Sequence, residues 1–189
     1  MLVAYALRTA DIDLRTAVTP VFGAAPLLAE KAKQHDLDAV LEFWPYAARL
    51  EAKGFKQLIA MEDLALELGA TGKIAMLGYG FSEAWGKAHL ETVRGFLRAA
   101  AKANRLLATS DEAWQRLRPL MRAKDDATFQ ALKRHYREGI PQRSIAANEA
   151  DAKILYQLLR ELGGETLVGT ATELVPGTFW KDPGMNVAN

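Results

Sequence analysis

The rhythm of apolar and polar positions changes near residue 80. Before it, short runs rich in β-branched and aromatic residues alternate with segments of helical composition. Residues 18–22, 38–43, 56–60 and 74–77 read as four strands. Between them, Gly23-Ala24-Ala25-Pro26 reads as a turn and helix start, and Leu27, Leu28 and Ala32 share one helical side. Trp44-Pro45-Tyr46 opens a further helix, with Pro45 in the first turn, where a missing N–H costs little. Residues 62–68 read as helix stopped by Gly69, and residues 1–8 as a short amphipathic first helix. Strands separated by helices predict βαβ units and a mainly parallel sheet.

From Phe81 onward the pattern is almost wholly helical. Leu90, Val93, Phe96, Leu97, Ala100, Ala103, Leu106 and Leu107 fall on one stripe at the 3.6-residue period. Thr109 followed by Glu112 forms a capping-box pattern for the next helix. Asp126 starts another helix, which ends at Gly139 and Pro141. Asn148 caps the last, with Leu155, Leu158, Leu159 and Leu162 on its apolar face and Gly163-Gly164 as its stop. The predicted fold class is therefore α/β: a small, mainly parallel sheet followed by a helical C-terminal segment.

Charge and composition narrow the function classes. Twenty-four basic against 23 acidic side chains over 189 residues leave a net charge of +1, so bulk charge does not mark a nucleic-acid binder. The absence of cysteine removes disulfides, thiolate metal sites and a cysteine nucleophile. His35, His89 and His135 are scattered without ligand spacing, so no metal is expected. No nucleophile elbow, P-loop or dinucleotide fingerprint is present, which argues against an enzyme, and no cofactor is implied. Residues 115–143 hold eight basic and three acidic side chains. That segment supports an alternative reading as a helical nucleic-acid-binding or regulatory interaction domain.

In open α/β sheets, ligands sit beyond the carboxyl ends of strands, beside helix N-termini. Here those ends are Gly23-Ala24-Ala25 and Glu42-Phe43-Trp44. The candidate ligand-binding residues are thus Gly23 and Ala24 as backbone donors, Glu42 and Trp44 facing a cleft, Tyr46 beside them, and Tyr79 near the return crossover. Burying the Glu42 carboxylate would favour a ligand carrying an amine or other donor. Trp85, on a helix, reads as core packing.

The order of segments resembles the second lobe of periplasmic solute-binding proteins of ABC importers for nitrate, sulfonates, taurine and thiamine pyrimidine precursors. The stretch from Val21 to Ala32, the Asp38-Ala39 step into a strand and Pro45-Tyr46 opening a helix are similar to that family's pattern. So are Phe81-Ser82-Glu83, the long helix from Leu90 to Ala99, and the link Ser110-Asp111-Glu112-Ala113. The resemblance implies the second lobe of a type II binding-protein fold over residues 1–76, with residues 77–189 as a crossover strand and helices returning to an absent first lobe. It implies a small organic or anionic solute as ligand, an importer permease as partner, no catalysis and a periplasmic location, although no signal peptide is visible. Truncation of the first lobe would leave the late helices without cover, which predicts a homo-oligomer or domain-swapped dimer.

Overall fold

The computed structural model describes residues 1–73 and 77–182. Its helices are α1 (Leu2–Ala10), α2 (Leu14–Ala17), α3 (Ala25–Lys33), α4 (Trp44–Glu51), α5 (Met61–Glu67), α6 (Glu83–Ala88), α7 (Leu90–Thr109), α8 (Asp111–Leu117), α9 (Asp126–Glu138) and α10 (Ile145–Val168). A 3-10 turn, Arg118–Leu120, follows α8. Among the described residues there is no strand.

This overturns both the α/β expectation and the binding-protein resemblance, because a type II lobe is built on a parallel sheet. Residues 18–22, 38–43 and 56–60 are non-helical, as their composition requires, but they lie against no neighbouring strand. Residues 74–76 of the fourth expected strand, and the division at residue 76, fall outside the described residues. A strand exists only as part of a ladder. Pro20 removes one ladder donor from the first run. Phe22, Leu41 and Leu58 stand 90%, 64% and 87% exposed instead of pointing into a sheet core.

The helices follow the periodic pattern closely, with two capping corrections. Ser110 rather than Thr109 caps α8, its hydroxyl accepting from the Ala113 N–H at 3.1 Å. Ser144 rather than Asn148 caps α10, accepting from the Ala147 N–H at 3.2 Å. Asn148 is instead buried one turn in, donating through its amide to the Ser144 carbonyl. Gly69 (φ +110°) ends α5 and Gly164 (φ +55°) breaks α10, both in the left-handed region that glycine enters without a Cβ clash.

The chain forms two compact units. The first comprises Met1–Val18, Ile59–Ala101 and the described residues from Pro141; the second comprises Thr19–Leu58 and Lys102–Ile140. In the first unit, α1, α5 and α10 meet through Ala4, Ala65, Leu68, Ala70, Leu155 and Leu158. Leu155 and Leu158 thus have cover, while Leu162 is 40% exposed. The turn after α5 is pinned to α10 by Asp151, which accepts from the Thr71 backbone N–H and from the Thr71 hydroxyl, each at 3.0 Å.

In the second unit, small residues bring helices close: Ala29, Ala32 and Leu50 join α3 to α4, and Ala48, Ala131 and Leu132 join α4 to α9. Polar contacts brace the second pair. Lys53 and Asp125 are 2.7 Å apart, and the Arg49 guanidinium donates to the Met121 and Arg122 carbonyls at 2.8 and 3.1 Å. Phe129 is fully buried, with the Arg118 guanidinium 4.6 Å from its ring centre.

Candidate functional site

One concavity of the first unit is built around α6 and the start of α7. The Ser82 hydroxyl caps α6 by accepting from the Trp85 N–H at 3.2 Å, and this fixes where Trp85 leaves the helix. Gly86, one residue on, is buried. A Cβ there would come within 2.6 Å of Phe81 Cε2 and 3.3 Å of Trp180 Cη2, so its absence lets the Phe81 ring lie across the helix. On α7, Val93 is buried, while Phe96 and Leu97 continue the same apolar stripe outward.

Ring contacts order this surface. Tyr79 meets Phe96 edge-on at 4.7 Å between centroids. Phe81 stands edge-on to Trp85 at 6.3 Å and to Trp180 at 5.2 Å, and Trp85 stacks on His89 at 4.8 Å. Edge-on and offset geometries are those that ring quadrupoles favour. Tyr79, Gly80, Phe81, Trp85, Thr92, Val93, Phe96 and Leu97 enclose a cleft of about 300 Å³. Its side-chain hydrogen-bonding groups are the Thr92 and Tyr79 hydroxyls and the Trp85 indole N–H. Trp85 is 44% and Phe96 50% exposed, so the rings form a wettable cleft rather than a closed core. Beside it, Arg94 on α7 donates to Asp182 at 2.6 and 2.9 Å and to Glu91 at 2.8 Å. These two carboxylates hold the guanidinium pKa above its usual value.

A second concavity, in the other unit, is an open depression of about 500 Å³ lined by Glu51, Phe55, Lys56, Gln57, Arg134, His135 and Glu138. His135 Nε2 lies 2.6 Å from one Glu51 oxygen, and Arg134 donates to the other at 2.6 Å. The contacts from His135 and Arg134 hold the Glu51 carboxyl below the usual range. Both of its oxygens are engaged, so these contacts brace α4 against α9.

The sequence matches no known protein family and no curated protein. What the chain can bind therefore rests on its own geometry.

The residues expected to line an inter-lobe cleft are not gathered at strand tips. Gly23 and Ala24 precede α3, with Ala24 as N-cap, and both are exposed. Glu42 is half-buried; one of its oxygens is buried without a hydrogen-bond partner among the described residues, and burial raises its pKa. Trp44 packs edge-on against Tyr136 at 6.2 Å, and Tyr46 packs against the Ala29–Ala32–Leu50 cluster, so both serve helix packing. Tyr79 alone among the six lines the aromatic cleft. Trp85, read from sequence as core, is exposed there, and Phe81 and Phe96 join it. The signal was the aromatic density between 79 and 96; the closeness of α6 and the start of α7 was not readable.

In residues 115–143, five of the eight basic side chains are ion-paired. Arg118 meets Asp126, Arg134 meets Glu51, Arg143 meets Asp151, and Lys133 and Arg137 both meet Asp111. These pairs answer part of the segment's positive charge within the protein.

Proposed function

We propose that this chain is a binding protein for a small, largely apolar organic molecule, held in the aromatic cleft between α6 and α7. The observation that carries this reading is the cleft itself: about 300 Å³ of concave surface walled by Tyr79, Phe81, Trp85 and Phe96. Ligand sites are concave and mainly apolar with few polar groups, and volumes of this order hold one small ring system. The lining contains no acid–base pair set against a nucleophile, which favours binding over catalysis. Permease coupling and periplasmic residence followed from the two-lobed resemblance and form no part of this reading.

The experiment is calorimetry with indole and naphthalene as ring probes and taurine as a ringless polar control. Both ring probes should bind, with a negative heat-capacity change from apolar burial. Phe96→Ala should weaken them roughly tenfold, the scale of one aromatic contact plus its buried area. No heat from either ring probe, or equal binding by the Phe96 variant, would remove the proposal.

A further inference from the structure

The rings of the aromatic cleft meet at steep angles. Tyr79 and Phe96 cross at 88° with 4.7 Å between centroids, and Phe81 and Trp85 cross at 63° with 6.3 Å between them. Each pair makes a corner, and both corners line the same concave surface. An aromatic face carries the negative lobe of the ring quadrupole, so a surface walled by several rings attracts a cation without any carboxylate. Among the described residues, no charged side chain lines the cleft. Arg94, next to Val93 on α7, donates through Nε and Nη2 to Asp182 and through Nη1 to Glu91, so its charge is already matched by two carboxylates and is not held out to an anion.

The polar side chains of the lining bear on the kind of cation. They are the Tyr79 and Thr92 hydroxyls and the Trp85 indole N–H, which only donates. A primary ammonium is strongly hydrated and brings three N–H donors, each costly to bury without an acceptor. A quaternary ammonium has no N–H donor and turns methyl groups to the walls. We propose that the cleft selects a small quaternary ammonium compound, held by cation–π attraction to Tyr79, Phe81, Trp85 and Phe96. This rests on the reading of the cleft as a ligand site and adds the ligand's charge to it. Trp85 is the strongest wall, because indole attracts a cation more than the other rings do. It stays 44% exposed beside its stack with His89, which leaves indole surface for the ligand.

Calorimetry with choline and 3,3-dimethylbutan-1-ol tests the charge, since the two share a shape and differ by the exchange of nitrogen for carbon. Choline should bind at least about tenfold more tightly than the alcohol. Trp85→Leu and Tyr79→Leu keep an apolar side chain but remove a ring quadrupole. Each should lower the preference for choline over the alcohol at least about threefold. Tyr79 is 67% exposed, so its variant keeps the test sound even if Trp85→Leu disturbs the start of α6. Equal affinity for choline and the alcohol, or a preference that neither variant reduces, would overturn the proposal. If indole and naphthalene bind while choline gains nothing over the alcohol, the cleft remains a ligand site and only its choice of a cation falls. Silence from all four probes removes both readings.

Discussion

Asp151, wholly buried on α10, accepts from the Arg143 guanidinium at 2.5 Å. Arg143 also donates to the Thr71 hydroxyl at 2.8 Å, so three side chains tie the turn after α5 to the start of α10. Burial alone would raise the Asp151 pKa, but the Arg143 and Thr71 contacts outweigh it and hold the carboxyl below its ordinary value. A carboxylate with a depressed folded-state pKa stabilises fully above its unfolded value, and that contribution is lost as pH falls through the folded value. Acid titration of unfolding should therefore show stability flat above about pH 5 and declining below pH 4. Asp151→Asn should flatten part of that decline and cost about 3 kcal/mol at neutral pH, since it leaves the guanidinium without its counter-charge. Chemical denaturation of both proteins across pH 3–7 measures this.

Gly86 separates stability from ligand binding. Gly86→Ala gains about 1 kcal/mol of helix propensity, against the cost of moving the Phe81 ring from a 2.6 Å contact. The melting temperature should shift by only a few degrees. The displaced ring should partly fill the cleft and weaken indole binding at least fivefold. Calorimetry beside a thermal melt separates the two effects.

Capping of α8 provides a paired test. Ser110→Ala removes the hydroxyl that accepts from the Ala113 N–H and should cost about 1 kcal/mol. Thr109→Ala should be nearly neutral, because the Thr109 hydroxyl only donates back to the Arg105 carbonyl within α7. Urea unfolding of both variants decides between the two residues as cap.

Glu51 is the shared acceptor between α4 and α9, with His135 Nε2 and Arg134 Nη2 each 2.6 Å away. Its side chain is 37% exposed, so solvent screens much of the attraction. Glu51→Gln should cost about 0.5–1 kcal/mol near neutral pH. The depressed carboxyl pKa gives this difference the same sign as at Asp151: present above the unfolded value and vanishing as pH falls through the folded one. The two denaturation curves should therefore converge in acid.

Local patterns in the chain determined most of its helices: the stripe of α7, the Pro45 opening of α4, the stop at Gly69 and the break at Gly164 were all readable residue by residue. The same patterns marked residues 18–22, 38–43 and 56–60 as extended. They could not say whether those segments would find partners, because a helix closes its hydrogen bonds within itself and a strand closes them only with another segment. Tertiary packing decided that point, and with it the fold class. It also decided the site. Tyr79 was readable as a candidate ligand-binding residue near a crossover, but the cleft exists because α6 and α7 bring Trp85 and Phe96 beside it. Which rings can lie against a helix depends on small side chains such as Gly86, whose missing Cβ leaves room for Phe81.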